Sequence, residues 1–476
     1  MPLINYVPFR RQFYIGPQLK LADESWKYLT LKSGLSLSYS PDLHVLQLTN
    51  QFGHELLLLG DAVESLEGLP PVHQTLEKIA DLQTLPDVYR SWSGRWILIA
   101  NGDLHLDASG LLGCYYRCEG GVVEAASVAG FISNSDTPDT FRLIKAGGAE
   151  FYPPPDSGFK GVSKLLPSQI LNLSTGEIIF RNLQTSVPPL SYEETIAYLA
   201  QLLCTALKNI YKEGGGKKLL LALTGGFDSR VLMAGLNYCG LPYEAITFHY
   251  PNIRPSDADI PKKLARISGV PHRLIRRQGR QYQNWEAFNL HTSGHSVEMD
   301  REYMLYQQFN KLEADNTILL RGGGFEVGRC AYYPWLPAAP LDGNGISTIQ
   351  KGNCVQGSSW CKWMAWVAQT PQVALDWRDR YYIEQRLAGW LSSTEQALDM
   401  VNIERQIPAN STLFFNVMLA LPEEVRKTKI QMTDLIKNLS PQLLQVPINP
   451  PVSFYYKQYR RILFKVSKLK QKLNWA

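Results

Sequence analysis

The chain has 476 residues and a mass of 53.7 kDa, and a length of this order predicts two or three domains. Apolar residues make up 45% of the chain and charged residues 19%, which excludes a protein that is disordered over most of its length. The formal net charge of +5 is slight for this length and does not favour nucleic acid as a partner.

The amino-terminal residues and the apolar runs predict neither an export signal nor a membrane span. "MPLINYVPFRRQFYIG" lacks the cationic start and the long apolar core of a secretory signal. No run reaches the roughly 18 apolar residues of a transmembrane helix. Seven scattered cysteines do not form a disulfide framework, and Cys114 and Cys118 lack the second pair that a structural zinc requires. These features predict a cytoplasmic protein.

Up to about residue 180 the sequence predicts strands and hairpins. Short apolar runs are broken by Gly, Pro, Asn and Asp, and strands are predicted in "LHVLQLT", "HELLLLG", "RWILIANGDLHLD" and "QILNLSTGEIIFRNL". Asn101–Asp103 and Ser174–Glu177 are the expected hairpin turns. We therefore expect antiparallel pairing throughout this part of the chain.

A long helix and then alternating strands and helices follow the stiff Pro188-Pro189 linker. Ser191 and Glu194 fit a capping box, after which apolar residues recur on one face to about Lys212. The predicted elements that follow are the strand Lys218–Leu223, a helix ending near Cys239-Gly240, the strand "YEAITFHY", the helix "DADIPKKLARIS", the strand "HRLIRR", a helical region to about Leu312 and the strand "NTILLRGG". Strands separated by helices predict a parallel sheet, so the fold class is α/β, with a mostly helical part beyond Cys354.

The turn "LTGGFDSR" between the first of these strands and its helix carries the strongest chemical signal. Ligands gather beyond the carboxyl ends of parallel strands, and the N–H groups of Gly225 and Gly226 can approach an anion closely there. Ser229 is the expected cap of the next helix, whose positive end attracts phosphate. Asp228 would repel phosphate unless it holds Mg²⁺ between itself and the phosphates. A plain glycine corner with a capping serine explains neither the second glycine nor the acid.

This turn resembles the Ser-Gly-Gly-x-Asp-Ser pyrophosphate loop of the N-type ATP pyrophosphatases, with Thr224 in place of the first Ser. Three longer stretches are similar to the asparagine synthetase branch of that group: "SGRWILIANGDLHLDASGLLGCYY", "FYPPPDSGFKGVSKLLPSQILNLSTGEI" and "LLRGGGFEVGRCAYY". The resemblance extends over about residues 90–335, and the flanks match loosely. It implies ATP and Mg²⁺ as cofactors, and an adenine-nucleotide α-hydrolase-like domain with a parallel sheet over residues 191–450.

For residues 1–185 the resemblance implies an α+β sandwich of the N-terminal-nucleophile type, the domain in which asparagine synthetases hydrolyse glutamine. That hydrolysis needs a cysteine as the mature first residue. This chain begins Met1-Pro2-Leu3 and has no cysteine before Cys114. We therefore expect an inactive glutaminase-like domain, as in the β-lactam synthetases and lasso-peptide cyclases of the same superfamily.

In the second domain the resemblance assigns roles to individual residues. The pyrophosphate loop and its surroundings correspond to Thr224, Gly225, Gly226, Asp228, Ser229 and Gly322. An ungapped match of "RGGGFE" makes Glu326 the second metal-binding acid beside Asp228, where the family usually has Asp. Leu223, Thr247 and Phe248 match the region that holds adenine.

Two further positions of the same match concern the chemical step. Gly323 stands where related enzymes carry a Glu or Tyr near the reacting acyl group, so a proton-abstracting residue would come from elsewhere. Lys427 or Lys429, in "EEVRKTKIQMTDL", matches the late catalytic Lys that stabilises charge on the transferring phosphoryl group.

Together these residues imply an ATP-dependent carboxylate–amine ligase that releases AMP and pyrophosphate. A substrate carboxylate attacks the α-phosphorus of ATP, and an amine then displaces AMP to form an amide. The expected partners are ATP and the carboxylate and amine substrates, which are small molecules or peptides. Two alternatives remain open. One is a lasso-peptide (macrolactam) cyclase, and the other is a nucleotide-binding pseudoenzyme or scaffold, which Gly323 and Glu326 favour and the intact Asp228 disfavours.

Three other features carry weaker hypotheses. His291, His295 and Glu298 have helical spacing for zinc, but Ser293-Gly294 weakens that helix, so polar residues of a cleft or surface are favoured instead. Trp360, Trp363 and Trp366 favour packing over a substrate wall. Residues 451–476 predict a basic amphipathic helix that docks on the fold or contacts a membrane surface or an acidic partner.

Overall fold

A computed structural model describes residues 9–135, 137–139, 144–146, 149–249, 255–276, 291–292, 308–309, 312, 316–351 and 354–450. Two antiparallel six-stranded sheets precede one five-stranded parallel sheet, with helices packed around them. The mixed α/β class predicted from the sequence is therefore confirmed. The basic helix expected over residues 451–476 lies outside the described residues.

The first part of the chain, called the N-terminal sandwich below, comprises the described residues from 9 to 183. Its strands are β1 (Phe13–Gly16), β2 (Lys27–Thr30), β3 (Ser36–Tyr39), β4 (Val45–Thr49), β5 (Glu55–Glu64), β6 (Trp92–Ala100), β7 (Asp103–Leu106), β8 (Tyr115–Glu119), β9 (Val122–Ala126), β10 (Ile144–Ala146), β11 (Ala149–Phe151), β12 (Ser163–Lys164), β13 (Gln169–Asn172) and β14 (Ile178–Phe180). Its helices are α1 (Val72–Glu77) and α2 (Leu85–Val88), with 3₁₀ turns at Leu82–Thr84, Tyr89–Ser91 and Ala129–Ile132.

The strand orders are β12-β8-β9-β1-β3-β2 in one sheet and β14-β13-β7-β6-β5-β4 in the other, while β10 and β11 form a separate pair. Both predicted hairpins are confirmed. Asn101 and Gly102, at φ of 46° and 95°, turn β6 into β7, and the Ser174–Glu177 segment joins β13 to β14.

The four consecutive leucines of β5 show how the sandwich is built. Successive side chains of a strand point to opposite faces, so an unbroken apolar run predicts a strand that is buried on both sides. Leu57 and Leu59 pack into the core between the two sheets. Leu56 and Leu58 pack on the other face, against residues of α1 and α2.

The second part of the chain, called the parallel-sheet part below, begins with α3 (Tyr192–Glu213). Ser191 and Glu194 form the predicted capping box. The elements that follow are β15 (Lys218–Ala222), α4 (Asp228–Tyr238), β16 (Tyr243–His249), α5 (Pro255–Ile267), β17 (His272–Arg276) and β18 (Thr317–Leu320). Each agrees with its prediction to within a few residues. The helical region expected up to Leu312 lies largely outside the described residues.

The order of the parallel strands fixes where a ligand can bind. The sheet runs β17-β16-β15-β18-β19, where β19 is Glu404–Gln406, and all four neighbouring pairs are parallel. After β15 the chain adds β16 and then β17 on one side of β15. It then crosses over and adds β18 on the other side of β15. The crevice between the carboxyl ends of β15 and β18 is therefore the topological switch point, where open α/β sheets bind their ligands.

The remainder of the chain is mostly helical, as predicted. Its elements are a 3₁₀ turn at Phe325–Arg329, α6 (Gly343–Ile349), α7 (Cys354–Gln369), α8 (Trp377–Tyr381), a π-helix at Tyr382–Leu391, α9 (Ser392–Leu398), α10 (Thr412–Leu419), α11 (Glu423–Thr428), α12 (Ile430–Leu439) and a 3₁₀ turn at Pro441–Gln445. The edge strand β19 was not predicted. In the described part of the chain, no helix combines the length and apolar character needed to cross a membrane.

A cluster of buried charges joins the two parts. Arg95 on β6 donates two hydrogen bonds to Asp399, at 3.0 and 2.9 Å, and Arg405 on β19 also pairs with Asp399. Glu395 on α9 accepts from Arg405 at 3.0 Å. Burial alone would raise the pKa of Asp399, but the two guanidinium groups outweigh it and hold that pKa well below its usual range.

Candidate active site

The glycine turn lies in the crevice at the switch point. Thr224–Phe227 follows β15, and α4 begins at Asp228. Thr224 is exposed and Gly226 is half-buried, so the loop is accessible. A Cβ added at Gly226 would make ordinary van der Waals contacts with Thr224 Oγ1 at 3.5 Å and with the Asn449 side chain at 3.7 Å.

Ser229 does not have the role expected of it. The N-cap of α4 is Phe227, and no side chain caps the helix. The Ser229 hydroxyl instead accepts from the Thr224 N–H at 3.0 Å and lies 3.0 Å from Thr224 Oγ1, which closes the loop onto the first turn of the helix. Because the Ser229 hydroxyl is hydrogen-bonded to Thr224, it does not cap α4. The first N–H groups of the helix therefore remain available to another acceptor.

Asp228 and Glu326, the two acids that the ungapped match pairs, both lie within 3.4 Å of Arg329 Nη2 across the crevice. Glu326 lies on the 3₁₀ turn that follows β18, which starts after Gly324 at φ of 90°. Arg329 on the same turn bridges the two acids, because its Nη2 lies 3.1 Å from both Asp228 Oδ atoms and 3.4 Å from Glu326 Oε1. The turns after β15 and β18 thus place two carboxylates around one point.

Gly322 makes this approach possible. A Cβ at Gly322 would lie 2.9 Å from Asp228 Cβ and 3.2 Å from the Ser229 backbone nitrogen, which is inside van der Waals contact. The strand end of β18 therefore packs directly on the first residues of α4. The glycine at this position is required by the close contact of two backbones.

Asp228, Glu326 and Arg329 place three ionisable groups close together in a largely buried part of the crevice. Burial raises the pKa of Asp228, the nearby Glu326 carboxylate raises it further, and Arg329 opposes both. Burial alone would lower the pKa of Arg329, but Asp228 and Glu326 outweigh it and raise that pKa. A buried acid whose charged form is destabilised by a second carboxylate and stabilised by a guanidinium is typical of a functional site.

The residues fit a divalent cation. Asp228 Oδ1 and Glu326 Oε2 are buried and accept no hydrogen bond, although Asp228 Oδ1 lies 3.1 Å from Arg329 Nη2. Carboxylate oxygens are the ligands that Mg²⁺ takes in proteins, with water and phosphate oxygens completing its shell. No cluster of three or more His, Cys, Asp or Glu occurs among the described residues, so these two acids would hold the ion together with its water and ligand oxygens.

A cavity of about 430 Å³ opens beside Glu326 and Arg329. Lys427 and Lys429 both line it, as do residues that were not predicted: Arg329, Cys330, Tyr333 and Arg378. Lys427 pairs with Glu423 at 2.5 Å, whereas Lys429 has no ion-pair partner in the part of the chain that the structure describes. Cys330 and Lys429 both have left-handed backbones, at φ of 50° and 63°, a strain that tends to occur at functional sites.

The residues matched to adenine binding lie beside the loop on β15 and β16. Leu223 and Thr247 are buried, and the Thr247 hydroxyl donates to the Leu223 carbonyl at 2.9 Å and lies 2.9 Å from His272 Nε2. Phe248 is half-buried and stacks on Phe309, with ring centroids 4.6 Å apart. A Cβ added at Gly323 would meet side-chain carbons of Leu391 and Ile407, so its nearest neighbours among the described residues are apolar.

His291 and the three tryptophans Trp360, Trp363 and Trp366 make packing contacts within the fold. His291 is fully buried, with the Phe9 N–H donating to its Nδ1 at 3.0 Å and its Nε2 lying 2.7 Å from the Gln396 carbonyl, so both ring nitrogens are engaged within the fold. His295 and Glu298 lie outside the described residues. Trp360 and Trp363 are buried core residues, and Trp366 packs against them while donating to Ser168 Oγ at 2.9 Å.

Arg329 is the main residue that sequence reasoning missed. The available signal was its position three residues after Glu326, which puts the two side chains on one side of a helical turn. Arg378 gave no such signal, because it reaches the cavity from α8, far along the chain. Its guanidinium stacks 3.5 Å from the centroid of the Tyr333 ring.

Comparison with solved structures finds distant similarities. An NMN synthetase from Francisella tularensis is 16% identical with a TM-score of 0.23, and the match covers 41% of this chain and 93% of that one. A glutamine-dependent NAD⁺ synthetase from Acinetobacter baumannii, in complex with ADP, is 16% identical with a TM-score of 0.21, covering 45% and 40%. A glutamine PRPP amidotransferase from B. subtilis, complexed with ADP and GMP, is 10% identical with a TM-score of 0.21, covering 67% and 70%.

No protein-family model matches the sequence, and no curated protein is significantly similar to it. TM-scores this low establish neither a shared activity nor a shared site.

Proposed function

We propose that the protein is an ATP-dependent amide-bond synthetase that activates a carboxylic acid by adenylation and releases pyrophosphate. The observation that carries the proposal is the meeting of Asp228 and Glu326 at the switch point, beside an accessible glycine loop and an uncapped helix N-terminus. The N–H groups of the loop and of the α4 N-terminus, which can bind phosphate, then face the same crevice as the two acids, which can bind a cation. Binding of a metal–nucleotide complex requires both.

In this reaction the loop and the acids bind the diphosphate part of ATP. N–H groups of Gly225 and the first turn of α4 would donate to phosphate oxygens, joined by the Gly226 N–H once it leaves Thr224 Oγ1, to which it donates at 3.3 Å, and Asp228 and Glu326 would hold Mg²⁺. Bound there, Mg²⁺ would neutralise part of the diphosphate charge and make pyrophosphate a better leaving group. Leu223, Thr247 and Phe248 border the place of the base.

The cavity beside Glu326 suits the acyl end of the reaction. A substrate carboxylate would attack the α-phosphorus, and Lys427 and Lys429 would stabilise negative charge on the transferring group. An amine would then displace AMP. Because Cys114 is fully buried and its pKa is raised to about 12 by burial, its thiol stays protonated, and we propose an amine source other than glutamine hydrolysis at this residue.

The direct test is ATP–pyrophosphate exchange with a panel of carboxylic acids. Exchange should depend on Mg²⁺ and on one class of acid, and Asp228→Asn should reduce it by at least about a hundredfold, because a charge that acts on the diphosphate is lost. Asp87→Asn, the same change at an exposed acid on α2, and Cys114→Ala should both leave the rate unchanged. Equal exchange in the wild type and Asp228→Asn would refute the assignment.

A further inference from the structure

Arg329 occupies the space between the two acids. A single nitrogen, Nη2, contacts both carboxylates, at 3.1 Å from Asp228 and 3.4 Å from Glu326. The side chain is only 14% exposed, so water screens these contacts weakly. With both acids ionised, one guanidinium against two carboxylates leaves a local charge of −1, and among the described residues Arg329 is the cation that bridges them.

A divalent cation shared by Asp228 and Glu326 needs the same space. Mg²⁺ binds carboxylate oxygens at about 2.0–2.1 Å and keeps several waters, and Nη2, at 3.1 Å from Asp228 and 3.4 Å from Glu326, occupies part of the volume that those waters need. Like charge adds to the steric conflict, since a dication and a guanidinium repel each other. A cation between the two acids therefore competes with Arg329 in its present position.

Arg329 already lines the cavity that Lys427, Lys429 and Arg378 also line. A guanidinium displaced from the acids would have this cavity beside it, next to the place where the proposed function puts the phosphates. Its planar fork of donors matches phosphate oxygens in a bidentate manner.

We infer that Arg329 is a further residue of the nucleotide site: it neutralises Asp228 and Glu326 in the metal-free protein, yields their oxygens to a divalent cation and then binds the phosphates that arrive with it. This inference rests on the proposed function. It means that metal alone binds weakly, because it must displace Arg329, whereas metal and ATP bind with positive coupling.

The test uses Mn²⁺ alone as the probe, with the full chain and no nucleotide, and counts free Mn²⁺ by electron paramagnetic resonance. Arg329→Gln should bind Mn²⁺ at least about tenfold more tightly than the wild type, since the competing cation is gone. The gain should vanish when Asp228→Asn is added. Unchanged or weaker Mn²⁺ binding in Arg329→Gln, or a gain that survives Asp228→Asn, would overturn the inference.

Arg329→Lys is the second variant, because it keeps a positive charge against the acids and guards against loss of folding in Arg329→Gln. Its affinity for Mn²⁺ should stay within about threefold of the wild type, and tight binding like that expected of Arg329→Gln would contradict competition by charge. Saturating ATP should raise the affinity of the wild type for Mn²⁺ by a larger factor than that of Arg329→Gln, and an equal factor would show that Arg329 does not bind the phosphates.

The two proposals fail in different experiments. Absence of pyrophosphate exchange with every acid tested, together with the Mn²⁺ gain in Arg329→Gln, would contradict the adenylation reaction and leave the competition standing. Robust exchange that needs Asp228, with no Mn²⁺ gain in Arg329→Gln, would retain the reaction and remove Arg329 from the site.

Discussion

The neighbouring glycines Gly322 and Gly323 differ in whether the structure can accommodate a side chain at their positions. A Cβ at Gly322 meets the backbone of Asp228 and Ser229, at 3.1 and 3.2 Å, whereas a Cβ at Gly323 meets only the side chains of Leu391 and Ile407, at 3.2 and 3.4 Å. Backbone cannot yield without moving α4, while flexible side chains can.

Gly322→Ala should therefore displace Asp228 and lower pyrophosphate exchange by about a hundredfold, as misplacement by about 1 Å does at active sites. Gly323→Ala is the matched control and should keep most of the activity. Exchange rates and thermal midpoints of the two variants measure the difference. The reverse ranking would show that Asp228 is not held by this contact.

Burial of the neutral His291 side chain makes the stability of the folded protein depend on pH. Burial lowers the pKa of His291 to about 4, and its Nδ1 must stay deprotonated to accept from Phe9. The unfolded chain, with a histidine pKa near 6.5, binds this proton first as the pH falls. The contribution of His291 is therefore fully present above about pH 6.5 and is lost at up to about 1.4 kcal/mol per pH unit between about pH 6.5 and pH 4.

His291→Gln keeps an acceptor and a donor but cannot titrate. The thermal midpoint of the wild type should fall more steeply than that of the variant as the pH decreases through this window. Burial also lowers the pKa of His105, to about 3, but that residue is common to both proteins and cancels in the comparison. Parallel curves would mean that His291 is not buried in its neutral form.

At the scale of elements, the π-helix at Tyr382–Leu391 connects the site to the surrounding core. Its last residue, Leu391, packs against Gly323. Inside it, Glu384 is fully buried and accepts from Arg380 Nε at 3.0 Å, from Trp363 Nε1 at 2.7 Å and from the hydroxyl of Ser168. A carboxylate with three donors from three segments ties α7 and the N-terminal sandwich to the helix that borders the site.

Glu384→Gln should destabilise the protein by about 3–5 kcal/mol, because it leaves the buried Arg380 guanidinium without its counter-charge. Glu119→Gln removes the acid of an exposed pair with Arg117 and should cost less than about 1 kcal/mol. Denaturant unfolding of both variants tests the contrast. Similar midpoints would indicate that water reaches Arg380.

Much of the fold was predictable because each element has a strong local cause. The capping box fixes the start of α3, and the glycine turn separates β15 from α4. β19 escaped prediction because its three residues, Glu404–Gln406, are polar and take their conformation from pairing with β18. Propensity says little about a strand whose hydrogen bonds come from a distant segment.

The site was predictable where chemistry is local and missed where it depends on the tertiary fold. Asp228 and Glu326 were paired through the resemblance of "RGGGFE" to a known metal segment, and each follows the end of one of two neighbouring parallel strands. Serine is a common helix cap, so the sequence predicted that Ser229 caps α4. In the folded loop its hydroxyl instead accepts a hydrogen bond from the Thr224 N–H, and the sequence alone does not distinguish these two arrangements. Arg378 reaches the cavity through the packing of α8, for which the sequence has no signal.

At the scale of the molecule, the buried charges around Asp399 bind the N-terminal sandwich to the parallel-sheet part. Asp399→Asn should leave Arg95 and Arg405 short of counter-charge in a dry interface, at a cost of about 3–5 kcal/mol. The loss should be visible as earlier proteolysis between the two parts and as a second unfolding transition. Glu404→Gln, whose partner Lys217 is partly exposed, should leave a single transition.

The pairing of Arg95 with Asp399 also has a consequence for how the chain is made. The two residues are 304 positions apart, and at about 5–20 residues per second a ribosome needs roughly 15–60 s to synthesise the segment between them. During that interval strand β6 has been synthesised, while Asp399, the carboxylate that pairs with Arg95 among the described residues, does not yet exist. The nascent sandwich must therefore keep the Arg95 guanidinium hydrated, or covered by a chaperone, until the last quarter of the polypeptide is made.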